Sequence, residues 1–345
     1  MFITTYKVTS PQVIEEFVED LKTDKNSVIV HVDMMAICKA DIRYFLGNRD
    51  VRVLERKYPL APIHEAVGRV IKDPTGTYKK GDKVILVPNF VDHLYCNSCK
   101  ETRCHRLDLG ENYCPHAVFK SSSADGFMKQ FYSCDPELLV KFDSDVGPEI
   151  AVWSELLSVS VAACRRIDFD KTNNIAIFGD GIMGYMVYLI ITYLYHKEVT
   201  IFGPNKDKLD CFKHAKTSTF EEYQGDNFDT LIECVGGKAS SYAINQMIDI
   251  ATIGADLILM GVSEENIPIN TRKVLEKGIS LKGVTRSTRE DFVTVSSLLS
   301  NKSLQNELKP LILSISGINS VNDIYNCFNK EINNKTIIGK NLMKF

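Results

Sequence analysis

The stretch from Asn174 to Tyr195 narrows what this chain can fold into more than any other. The apolar, β-branched run NIAIF passes directly into GDGIMG, and a long apolar segment follows. Gly179, Gly181 and Gly184 stand in G-x-G-x-x-G spacing between a predicted strand and a predicted helix, which Ile182 and Met183 open. In such a turn the first glycine permits the tight bend, the second lets backbone approach a pyrophosphate, and the third lets helix pack on strand. The free N–H groups and dipole at the helix N-terminus favour an anion there. Alone the motif is weak, and a glycine turn that binds nothing is the competing reading. The strand before it and the helix after it favour dinucleotide binding.

The same alternation continues downstream. EVTIFG, DTLIECVG and DLILMGV read as strands, with helices predicted over Lys206–His214 and Ala239–Ile250 between them, and a helical segment over Ser154–Arg166 ahead. Strands alternating with helices at this spacing predict a doubly wound parallel sheet of α/β class. The first half reads differently. SVIVHVDMMAI, AVGRVIKDPTG and KKGDKVILVP are strands punctuated by Pro and Gly turns, an all-β pattern. After ISLKGV the pattern becomes mixed again. At 345 residues the chain is long enough for two cores. The expected division is a β-rich domain over 1–150 and 289–345, and an inserted dinucleotide-binding domain over 151–288.

NAD-binding folds place an acidic residue about 20 positions beyond the glycines, where it accepts from the ribose 2′-OH. Here that position is Gly203, followed by Asn205, Lys206 and Lys208. A missing carboxylate with cations nearby suits a 2′-phosphate, so NADPH is expected over NADH. The lysines could instead merely solvate a helix start, and Asp207 argues weakly the other way.

A net charge of −3 advertises no nucleic-acid surface. MFITTYKVTS lacks an apolar signal core, and IMGYMVYLIITYLY is too short to span a bilayer and reads as a buried helix. A cytoplasmic protein with reduced thiols is therefore expected, in which Cys38, Cys134, Cys164, Cys211, Cys234 and Cys327 are scattered rather than arranged as a disulfide frame.

Cys38 ends an apolar strand in AICKADIRYFLG, His64 and Glu65 are adjacent in APIHEAVG, and Glu155 lies in WSELLSVSVAACRR. A thiolate, an imidazole and one or two carboxylates make a plausible zinc set with a position left for water or substrate. Spacing alone leaves the plainer readings open, a buried thiol and a core histidine.

Taken together, C-x-x-D, H-E-x-x-G, E-x-L-S-V and the central G-x-G-x-x-G resemble the zinc-dependent medium-chain dehydrogenases/reductases over essentially the whole chain. CKADIRYF and ELLSVSVAACRR are similar to the sorbitol-type polyol dehydrogenases. CKADIRYFLGNRD, IHEAVG, DPTGTY, ECVGG, AINQMID and MGVSEENIPINTRKVLEKGISLKG resemble more narrowly the ribulose-5-phosphate reductases that supply ribitol 5-phosphate for teichoic acid or capsule synthesis. The resemblance implies a GroES-like catalytic domain joined to a Rossmann-type domain. It matches Cys38, His64 and Glu65 to the family's first three metal positions and Glu155 to a carboxylate on or near the metal. It further implies NADPH-dependent reduction of D-ribulose 5-phosphate to D-ribitol 5-phosphate, zinc polarising the ketone. The alternative is an NAD(P)-dependent polyol dehydrogenase. A homodimer or homotetramer is implied, with a cytidylyltransferase of the same pathway as a candidate partner. Two departures stand out: Ile63 replaces the glycine usual before His-Glu, and Ala40 replaces a hydroxyl residue that often relays protons.

A sugar phosphate needs cations, and Arg suits bidentate phosphate contact. Arg43 and Arg286 are the first candidates, with Arg49 and Lys277 behind them; any single arginine is more often a surface ion-pair residue. The family often carries a structural zinc in a lobe spaced C-x2-C-x2-C-x7-C. In YCNSCKETRCHRLDLGENYC, over 95–114, Cys96 and Cys99 fit, Thr102 stands at the third position, Cys104 comes two residues late, and Cys114 matches the fourth. A second, structural zinc on Cys96, Cys99, Cys104 and Cys114 is expected, with His105 or His116 able to replace one thiol. Free thiols are the alternative. A non-enzymatic zinc-binding module is disfavoured by the charge and the intact nucleotide loop, and a zinc-free quinone reductase by Cys38, His64 and Glu65 together.

Overall fold

A computed structural model describes residues 1–91 and 111–345. The chain forms two compact units: Met1–Ser158 with Ser287–Lys335 and Gly339–Phe345, and Val159–Arg286 with Thr336–Ile338. In chain order the strands of the first segment are β1 (Phe2–Ser10), β2 (Val13–Asp20), β3 (Val28–Ala36), β4 (Glu65–Lys72), β5 (Lys83–Leu86), β6 (Asn89–Val91), β7 (Ala117–Phe119), β8 (Phe131–Cys134) and β9 (Leu139–Lys141). Helices α1 (Lys39–Phe45) and α2 (Val51–Lys57) lie between β3 and β4, where the sequence pattern gave strands only. Each helix is only seven residues long, too short to show a helical period.

Next come α3 (Ser154–Cys164), β10 (Ile175–Phe178), α4 (Ile182–Leu194), β11 (Thr200–Phe202), α5 (Lys206–Leu209), β12 (Lys216–Ser218), β13 (Phe228–Glu233), α6 (Ser240–Ile250), β14 (Ala251–Leu259), α7 (Thr271–Lys277) and β15 (Ser280–Gly283). The chain then runs through α8 (Arg289–Leu298) and α9 (Lys302–Leu308) to β16 (Ile312–Gly317), α10 (Val321–Asn333) and β17 (Lys340–Lys344).

In the first unit the main sheet runs β16-β17-β3-β4-β5-β9, with β8 also on β3. The alternating valines of β3, Val28, Val30 and Val32, are fully buried with Met35, Ile63, Phe127, Phe328 and Met343. Register decides where the chemistry lies. Ala36 of β3 pairs with Glu65 at the start of β4 on one side and with Leu342 of β17 on the other. The end of β3, the start of β4 and the middle of β17 therefore meet beside Cys38.

The second unit holds a six-stranded parallel sheet in the order β12-β11-β10-β13-β14-β15. Counted from β10 this is the 3-2-1-4-5-6 order of a dinucleotide-binding sheet. Every residue of β10 is buried, as expected of a central parallel strand covered on both faces. α4 is the apolar segment of the sequence, its residues Gly184–Ile191 all buried. The expected helix over Lys206–His214 is shorter: α5 ends at Leu209, and the following turn buries Phe212 against Tyr185 and Tyr188. The boundary at 151 also differs from the unit division. The first turn of α3 belongs to the first unit, where Ser158 Oγ lies 2.8 Å from Ser287 Oγ. Among the described residues no helix is long and apolar enough to cross a membrane.

Candidate active site

Cys38, His64 and Glu65 offer a sulfur, a ring nitrogen and a carboxylate oxygen that all lie within 4.8 Å of one another. Cys38 immediately precedes α1, and its backbone N–H donates to Asp41 Oδ2 at 2.9 Å. Asp41 is wholly buried and gathers the site. It also accepts from Ile63 N–H at 3.0 Å and from Ser121 Oγ at 2.5 Å, while His64 Nδ1 lies 3.2 Å from Ser121 Oγ and 3.5 Å from Asp41 Oδ1. With Nδ1 so engaged, Nε2 is the atom left for a metal. The ring of Phe119 covers the imidazole at 5.1 Å between centroids.

Burial raises the Asp41 carboxyl, but the charge of His64 and the hydrogen bonds from His64, Ser121 and Cys38 outweigh it and hold the group below its usual range. Burial likewise lowers His64, yet Asp41 and Cys38 together lift it well above its ordinary value. Ile63 has φ 77°, the left-handed region, where the family's glycine would be unstrained. That conformation aims its N–H at Asp41 and costs about 1–2 kcal/mol.

Glu65 is fully buried and bound by Lys340, whose Nζ lies 2.5 and 2.6 Å from its two oxygens. Burial lowers the Lys340 ammonium, while Glu65 and Cys38 raise it more, so the lysine is held well above its ordinary value. Glu155 is buried too but is not among the three clustered donors. Burial pushes its carboxyl up to about 7; His64 and Lys340 pull it down, and Glu65 adds to the rise. A thiolate, an imidazole and a carboxylate around one point fit zinc, with room for a further oxygen ligand.

In the second unit the three glycines differ in what a side chain would meet. Gly179 has φ 133° and a Cβ there would stand 3.0 Å from Cys234 backbone. A Cβ on Gly184 would meet Gly179 O at 1.9 Å, the close strand–helix approach. At Gly181, just before α4, a Cβ would meet nothing within 4 Å, an open cradle against bare backbone that fits a pyrophosphate. Gly203 follows β11, and Asn205 caps α5 by accepting Lys208 N–H at 3.1 Å. Exposed Lys206 lies 2.8 Å from Glu222. The Ile182 and Met183 backbone forms the first turn of α4.

Of the substrate candidates, Arg43 lies in the last turn of α1, and the Arg49 guanidinium sits 5.1 Å from the centroid of the Tyr44 ring. Arg286, with φ 58°, is half-buried, and burial lowers its guanidinium. Lys277 is a correction. Its ammonium donates to the carbonyls of Ile248, Asp249 and Ala251, each at 2.9 Å, so its three donors cap α6 and none remains for phosphate. Cys114 is buried against Val91, while Cys96, Cys99 and Cys104 lie outside the described residues. Sequence reasoning missed Ser121 and Lys340, which carry no local motif. Asp41 was visible only as the last letter of C-x-x-D.

Residues 24–144 match the profile of the Alcohol dehydrogenase GroES-like domain, and residues 193–301 that of the Zinc-binding dehydrogenase family. A curated ribulose-5-phosphate reductase of Streptococcus pneumoniae is 34% identical over 95% of this chain and 94% of its own. One from Bacillus spizizenii is 34% identical over 98% and 99%. The crystal structure of S. aureus TarJ in complex with NADPH superposes with a TM-score of 0.85 at 31% identity, covering 100% of this chain and 99% of that one. With its GroES-like and Rossmann-like parts and its Cys-His-Glu donor cluster, the chain is an oxidoreductase that belongs to the zinc-dependent medium-chain dehydrogenase/reductase family.

Proposed function

We propose that this protein reduces D-ribulose 5-phosphate to D-ribitol 5-phosphate with NADPH. The observation that carries the reading is the cluster of half-buried Cys38 with buried His64 and Glu65, in a chain that aligns end to end with curated ribulose-5-phosphate reductases. When bound, the metal supplies a Lewis acid for the ketone oxygen and the reduced nicotinamide supplies the hydride. The chain's own part is placement. Cys38, His64 and Glu65, with Glu155 nearby, would hold the ion; Asp41 and Ser121 fix the imidazole, and Lys340 fixes the carboxylate. Phe119, over the imidazole, helps to keep water from the ring. Gly179, Gly181 and Gly184 leave the backbone bare for the pyrophosphate, and Gly203 with Asn205, Lys206 and Lys208 form the part that would receive the adenosine 2′-phosphate. Arg43, Arg49 and Arg286 are the candidates for contact with the sugar phosphate.

A second zinc on Cys96, Cys99, Cys104 and Cys114 belongs to the same reading. So does a homodimer or homotetramer: β15 is an edge strand, and Leu281 on it is 39% exposed. A cytoplasmic location and a cytidylyltransferase partner complete the proposal. Steady-state kinetics test it. Ribulose 5-phosphate with NADPH is expected to give the highest kcat/KM among ketoses and ketose phosphates. Equal values for ribulose and ribulose 5-phosphate would favour a general polyol dehydrogenase instead.

A further inference from the structure

Asp180 stands between the first two glycines of the nucleotide loop, at a position that the motif leaves open to any residue. Its side chain reaches across to the end of β11. A Cβ built on Gly203 would lie 2.5 Å from Asp180 Cβ, 2.8 Å from Cγ and 2.7 Å from Oδ2. Gly203 is not among the glycines with positive φ, so what requires glycine there is space rather than backbone conformation. The nearest atom is Asp180 Cβ, fixed to the loop backbone and unable to swing aside as a side-chain tip would. The carboxylate has a second contact: Asp180 Oδ2 accepts Asn205 N–H at 3.0 Å, and Asn205 Oδ1 in turn accepts from Lys208 N–H. One side chain thus fills the space next to residue 203 and anchors the turn that follows it.

Position 203 is where NAD-binding folds place the carboxylate that accepts from the ribose 2′-OH. We propose that Asp180 is a specificity-determining positioning residue: it bars position 203 from carrying that carboxylate and holds the Asn205–Lys208 turn in place for a 2′-phosphate. The inference rests on the NADPH reading above and deepens it. It makes residues 180 and 203 a coupled pair, so that the one-residue change expected to convert the chain to NADH fails while Asp180 is present.

The experiment measures dissociation constants of NADPH and NADH by titrating the fluorescence of the reduced nicotinamide against the intact protein, with circular dichroism to verify folding. Gly203→Asp alone is expected to weaken NADPH by about tenfold or more without strengthening NADH. Asp180→Gly/Gly203→Asp is expected to strengthen NADH by about tenfold over that single variant. Asp180→Ala/Gly203→Asp keeps the obstructing Cβ and is expected to behave like Gly203→Asp. Asp180→Asn retains both Cβ and an acceptor oxygen and is expected to keep the wild-type ratio of the two constants. The proposal is overturned if Gly203→Asp alone inverts that ratio, if the folded Asp180→Gly double variant gains no NADH affinity, or if Asp180→Asn shifts the ratio as far as Asp180→Gly does. A wild-type protein that binds NADH more tightly would instead overturn the NADPH reading, while the difference between the Ala and Gly double variants still reads the coupling.

Discussion

Lys340 Nζ engages both oxygens of Glu65, at 2.5 and 2.6 Å, in a pair whose side chains are 5% and 0% exposed. Removing one partner of a buried pair strands the other charge. Lys340→Met is therefore expected to destabilise the metal-free protein by about 3–5 kcal/mol. Zinc offers Glu65 a replacement cation, so the loss should narrow when metal is present. Calorimetry with and without chelator checks this, and equal losses in both conditions would refute it.

Asp41→Asn replaces the carboxylate that accepts from Cys38 N–H, Ile63 N–H and Ser121 and faces His64. An amide cannot accept from all of them, and the imidazole loses its charged support. Zinc affinity is expected to fall by about 10–100-fold. Competition with a chromogenic chelator measures the change. An unchanged affinity would mean that His64 is held in some other way.

Cys38→Ala removes the soft ligand. It is expected to lower zinc content by one ion per chain and kcat/KM by about a thousandfold or more. Native mass spectrometry counts the metal. Activity persisting at an unchanged zinc content would place the reacting centre elsewhere.

Asp125 offers a pH test away from the metal. Burial raises its carboxyl, but the Lys7 ammonium at 2.7 Å and Ala61 N–H outweigh it and lower the group. A carboxyl lowered on folding adds stability above its unfolded value of about 4, and that stability disappears as pH falls through the lower folded value. Asp125→Asn should cost about 1 kcal/mol at neutral pH, discounted for partial exposure. Urea titrations should show the gap from wild type closing in acid. A gap independent of pH would show that the charge contributes nothing.

What the sequence disclosed, and what it hid, follows from how far each interaction reaches along the chain. Gly179, Gly181 and Gly184 were readable because strand, turn and helix are contiguous, and the sheet order agrees with the alternation. Cys38 and the His64–Glu65 pair were recognisable as short motifs. Nothing local marked Lys340, since its partner lies 275 residues away. Lys277 was misread for a similar reason: its role is set by the end of α6, and a lysine looks the same beside a carbonyl as beside a phosphate. The overlong helix over Lys206–His214 reflects tertiary packing, in which burial of Phe212 outweighs further helical turns. Asp180 received no role, because the glycine motif assigns no meaning to its position.

The pairing of β17 with β3 also sets an order of assembly during synthesis. Glu65 leaves the ribosome 275 residues before its lysine, roughly 15–55 s at ordinary elongation rates. In that interval all of Val159–Arg286 emerges and can fold. Throughout it Glu65 lacks its ammonium partner, so only water or a metal ion can compensate the carboxylate. The buried Glu65–Lys340 pair can therefore form only after β17 has emerged and paired with β3.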